Sequence, residues 1–184
     1  MIVPINAVVF ALCLFTGVSQ EKPQDKPQEK TSCPMHEQRK ASQEDQHHQG
    51  VVERGDQVMG FSHERTAHHF RLYADGGAIE AEANDAEDTM SRDEIRAHLG
   101  QIATMFAAGE FSAPMLIHGQ NPPGTEEMKR LRNSIRYNLE STERGARIRI
   151  TTKTPEALQA VLQFLRFQIA DHQTGDSTEI TKVP

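Results

Sequence analysis

Twice in this chain, two short stretches of alternating apolar and polar residues, parted by a turn, are followed by apolar residues at helical spacing. That repeated order limits the possible folds more than any other feature. In the first copy His68-His69-Phe70-Arg71-Leu72-Tyr73 alternates, Asp75-Gly76-Gly77 supplies a tight turn, and Ala78-Ile79-Glu80-Ala81-Glu82-Ala83 alternates again. Ser91 and Glu94 then form a capping-box pattern, and Ile95, Leu99, Ile102 and Phe106 recur at helical spacing up to Gly109. In the second copy Ile135–Glu140 and Arg147–Ile150 flank a turn at Thr142–Gly145. Thr154 as cap, Pro155 at the first helical position, and Leu158, Val161, Leu162, Leu165 and Ile169 define the helix that follows. The pattern predicts an α+β fold, duplicated ββα units forming a four-stranded antiparallel sheet with helices on one face. Strict alternation then buries Ile79, Ala81, Ile148 and Ile150 beneath the helices and leaves Glu80, Glu82, Arg147 and Arg149 on the wetter face, an acidic strand facing a basic one.

This folded domain is expected over residues 56–176, with 177–184 a flexible tail. Between the two copies, Phe111–Gly119 is too apolar for an ordinary surface loop, and a short helix carrying Met128 and Leu131 follows it. Upstream the texture changes. Residues 20–55 repeat Lys-Pro-Gln and are rich in Gln and His, with few aliphatic side chains, so they bury too little apolar area to offset chain entropy and read as a disordered linker. Residues 1–19 are almost wholly apolar up to Val18, and the small residues Gly17 and Ser19 suit a cleavage site. They read as a signal peptide, which predicts a periplasmic or secreted product with no membrane association after cleavage. The net charge of −6 argues against nucleic acid as a partner. The two cysteines are Cys13 in the leader and Cys33 in the linker, so the mature chain has no pair with which to close an internal disulfide.

Cys33-Pro34-Met35-His36 places a thiolate, a thioether and an imidazole within four residues, donors that suit Cu(I) and other soft ions. The element resembles the short heavy-metal-binding module of copper-efflux proteins, whose core is Tyr-x-Cys-Pro-Met-His-Pro. Here Thr31 stands for the Tyr and Glu37 for the second Pro. The resemblance covers about six residues and implies copper binding at Cys33, Met35 and His36. Within the domain the densest donors are Met59, His63, His68 and His69, with Met115 and His118 in the connecting segment able to complete a site. His68 shares a strand face with Phe70 and Leu72, while His69 points to the polar face with Arg71. His98, Met105 and His172, taken singly, read as helix-flanking structural residues.

Met59-Gly60-Phe61 and Thr66-Ala67-His68-His69-Phe70 resemble segments of uncharacterised secreted bacterial proteins, some of which carry the name aspartate carbamoyltransferase. That activity is not supported: the carbamoyl-phosphate motif Ser-x-Arg-Thr-Arg is absent, and 184 residues are too few for a two-domain enzyme. A nucleophile elbow, a phosphate-binding loop and a dinucleotide fingerprint are also missing. The leading expectation is an exported copper-type metal-binding protein. A non-enzymatic module that binds an envelope protein partner is the alternative, and an enzyme with a His-based site is the weakest of the three.

Overall fold

The computed structural model describes residues 34–183, apart from the side chains of 34–38, 40 and 41. The expected leader, the Lys-Pro-Gln repeat and Cys33 lie outside the described residues. The sheet contains β1 (Thr66–Tyr73), β2 (Gly76–Ala83), β3 (Ile135–Ser141) and β4 (Gly145–Thr152), all neighbours antiparallel, in the order β1-β2-β4-β3. Five helices accompany it: α1 (Pro34–Met59), α2 (Thr89–Ala108), α3 (Ser112–His118), α4 (Thr125–Arg130) and α5 (Pro155–His172). The expected α+β class and the four-stranded antiparallel sheet are therefore present. None of the described helices is long and apolar enough to cross a membrane.

The register realises the alternation. Phe70, Ile79, Ile148 and Leu139 lie side by side across the four strands, and Ile79, Ala81, Ile148 and Ile150 are all buried. Against them pack Ile95, Leu99, Ile102 and Phe106 of α2 and Val161, Phe164, Leu165 and Ile169 of α5. Each helix covers mainly the hairpin of the other half: α2 lies on β3 and β4, and α5 on β1 and β2. The halves share an order of elements but interlock, so neither forms a closed ββα unit of its own.

Two local expectations are corrected, and two segments outside the expected domain carry described structure. The linker expected to be disordered over 20–55 is helical from Pro34, because Val51 is wholly buried and Val58 and Met59 pack against the core. Two or three apolar contacts anchor a helix that composition alone disfavours. The cap of α2 is Asp88, whose side chain accepts from Ser91 N–H, and Ser91 itself is buried one turn inside the helix. Arg149 is buried on the face expected to be wet. Its guanidinium donates to Gly77 O, Ile150 O and Asp75 Oδ1 and lies over the Tyr73 ring, and five fixed donors on a planar group favour that enclosure. Finally, the tail expected to be flexible runs along β1, where Thr181 N–H donates to Leu72 O.

Candidate functional site

Three helices end at one place. Met59, His118 and His172 are the last residues of α1, α3 and α5, and all three line a cavity of about 60 Å³. The C-terminal ends of helices carry partial negative charge, so their convergence favours a cation. His68 reaches the same cavity from the covered face of β1, and His98 from α2, one turn before Ile102. Gln168 adds the only amide, while Phe70, Ile79, Leu99, Phe106 and Phe164 make the remaining wall chiefly apolar.

The rings are ordered by contact. Phe61, His68 and His172 form a stack, with centroids 5.8 and 6.2 Å apart and 13° between planes in each step. His98 meets the edge of Phe61 at 5.7 Å, and His118 meets His172 at 4.9 Å nearly at right angles. His118 is wholly buried and fully engaged. Its Nδ1 donates to Asp171 Oδ2, and its Nε2 faces Gln168 Oε1 at 3.0 Å. Two oxygens satisfy a doubly protonated ring; a singly protonated one is satisfied if the Gln168 amide turns over, and the amide nitrogen has no partner in its present orientation. Asp171 also accepts from Nε2 of exposed His47 on α1, which links the buried imidazole to the surface.

Among the described residues, no hydrogen bond reaches the ring nitrogens of His68, His98 or His172. Burial holds all three below the usual histidine range. It acts first on His68, which neighbouring His98 and His69 help to push down to about 4. His172 is pushed down to about 3 by burial and then by His118 and His68. His98 is lowered by burial alone. These rings are neutral at pH 7 and carry unused lone pairs. His48 of α1 belongs to the same neighbourhood: its charge acts on His172, and its buried Nδ1 has no partner.

Of the residues expected from the sequence, Met59, His68 and His118 come together. His63 does not join them, because its backbone N–H and Nδ1 both engage Asp56 at 2.9 Å in the exposed loop after α1. His69 points to the other face and binds Asp176 at 3.0 Å, and Met115 is an exposed residue of α3. Met35 and His36 fall in the first turn of α1, where side chains are outside the description, and Cys33 precedes it. His98 and His172, read from the sequence as structural residues, line the cavity as well, and His48 stands nearby. The available signal was that His98 flanks the Ile95-Leu99-Ile102 stripe and His172 follows Leu165, Gln168 and Ile169 at helical spacing, so both face the core.

Among the described residues, no three His, Cys, Asp or Glu side chains already stand at mutual ligating distances. A nitrogen-bound imidazole at about 2.0–2.1 Å places its ring centre roughly 3 Å from an ion, so two such rings stand about 5–6 Å apart. His68 and His172 stand 6.2 Å apart but stacked, with ring faces and not nitrogens turned to each other, so ligation of one ion by both requires at least one ring to turn. The chain matches no protein-family model, no curated protein and no solved structure.

Proposed function

We propose that this domain binds a soft metal ion of the copper(I) type at His68 and His172, with one ring turned out of the stack and Met59 as the thioether donor, and that the protein does so after export. The observation that supports this most is the set of imidazole nitrogens without partners around an apolar cavity that also contains a thioether. The three rings are half-buried and leave nitrogens free for a ligand, and the buried Nδ1 of His48 and Nε2 of Gln168 nearby also have no partner. Imidazole and thioether together prefer Cu(I) to Mg or Ca, and low coordination suits two nitrogens and one sulfur. The neutral rings need lose no proton on binding. His118, held by Asp171, packs edge-on against His172 and supports that side of the cavity. Cys33, Met35 and His36 would supply a second set of soft donors, preceding the domain in sequence.

The test is an anaerobic titration with Cu(I) against a chromophoric chelator, using the chain with Cys33→Ser so that only the domain site is counted. One equivalent should be withheld from the chelator, and His68→Phe with His172→Phe should abolish it while the fold remains. Retention of tight binding by that double variant would overturn the assignment, as would binding no tighter than that of a protein with few histidines.

A further inference from the structure

The two edges of the sheet are treated differently. On β1 the outward backbone groups are taken up by the chain's own tail: Phe70 N–H donates to Asp176 Oδ2, and Leu72 O accepts from both the N–H and the hydroxyl of Thr181. Asp176 is further held by His69 and Arg71. On β3 the described residues offer no cover, since its only strand partner is β4. Thr142 N–H donates to Gly145 O, which sets the hydrogen-bonding parity of that hairpin. Alternation then turns Arg136, Asn138 and Glu140 toward β4 and leaves the backbone groups of Ile135, Tyr137, Leu139 and Ser141 facing outward. A bare edge of seven residues is a template for another strand.

The side chains on this edge complement themselves. About an axis through Asn138, an antiparallel second β3 places Tyr137 opposite Leu139′ and Ile135 opposite Ser141′, so every outward N–H and C=O meets a partner, about eight bonds in all. The same register places Arg136 opposite Glu140′ on the open face, twice by symmetry. Arg136 is exposed and makes no ion pair among the described residues, whereas Glu140 already holds Arg147 at 2.7 Å and has an oxygen edge left for a second cation. On the covered face Leu139 is 43% exposed and would close against Tyr137′. Axes through Tyr137 or Leu139 keep the parity but lose the Arg–Glu match.

We infer that the chain forms a symmetric dimer by antiparallel pairing of β3 with β3 of a second copy, making one continuous eight-stranded sheet. This pairing is independent of any metal in the cavity. It is tested by sedimentation velocity across the micromolar range on the full chain, comparing the native protein with Arg136→Glu and with Leu139→Pro. The native chain should show a concentration-dependent dimer. Arg136→Glu should weaken it at least about tenfold, because the substituted carboxylate would stand against Glu140′. Leu139→Pro removes an outward N–H, which an edge strand tolerates, and should give a monomer with unchanged far-UV circular dichroism. If the proline variant misfolds, the charge reversal decides alone. A native chain that is monomeric throughout, its edge then open to some other strand, overturns the inference, and so does a dimer indifferent to Arg136→Glu.

Discussion

The open face of the sheet and the cavity on its covered face handle polar groups in opposite ways. On the open face Arg71, Glu80, Arg147 and Glu140 form a row of alternating sign across all four strands, joined at 3.6, 3.3 and 2.7 Å. Arg149, the most enclosed of these cations, has three oxygen acceptors and an aromatic ring. On the covered face, where α1, α3 and α5 end, His68, His98 and His172 have no hydrogen-bond partner among the described residues. The same chain that pairs charges in the open leaves half-buried imidazoles without hydrogen-bond partners against a chiefly apolar wall. The contrast is the ground on which the metal site is proposed.

Two effects of about equal size are expected on the covered face, the first in the part that is filled rather than hollow. Ile148 is wholly buried between the strands and the helices, so Ile148→Ala should cost about 2–4 kcal/mol in denaturant unfolding. A loss as small as that of an exposed residue would mean that the core is not packed as described.

The next concerns the cavity and its proton balance. In the metal-free protein His68 and His172 are held at about 4 and about 3, whereas the unfolded chain titrates both near the ordinary value. Between those limits the unfolded state binds more protons, so the stability they contribute is present above about pH 6.5 and lost as pH falls. Lowering pH from 7 to 5 should remove roughly 3–4 kcal/mol through these two rings together. His172→Phe should remove about half of that dependence and leave the protein more stable than the native chain at pH 5, as urea unfolding at the two pH values would show. A variant with the native pH profile would mean that His172 is already partnered.

Smaller effects sharpen the other side of the comparison. Arg149→Ala should cost roughly 2 kcal/mol, because its loss removes the side-chain donor from Gly77 O, Ile150 O and the Asp75 carboxylate and opens the space beside Tyr73. Arg65→Ala, which breaks an exposed pair with Asp88, should cost under about 1 kcal/mol. Equal losses at the two arginines would erase the distinction between enclosed and exposed charge.

Most of the sheet was legible in the sequence because alternation has a period of two and tolerates no slip: the faces of Ile79, Ile148, Glu80 and Arg147 follow from it directly. Arg149 obeyed the alternation and still became buried, because the Asp75 carboxylate and the Tyr73 ring reach it from the turn and from β1, and neither is a neighbour in its own strand. Helix α1 was illegible because its anchoring rests on Val51, Val58 and Met59 in a segment otherwise dominated by Gln, Glu and His. The cavity was half legible. His68 and Met59 stood out as a local cluster, whereas His98 and His172 are far apart in sequence and met only because α2 and α5 both pack on the sheet's covered face.

The most direct measurement of metal binding in the cavity is to follow the histidine side chains by ¹⁵N NMR while Cu(I) is added to the chain carrying Cys33→Ser. The imidazole nitrogens of His68 and His172 should shift first and saturate at one equivalent, with the Met59 methyl moving in step and His47 and His63 unaffected. Shifts confined to exposed His47 and His63, with the cavity resonances unchanged, would contradict it.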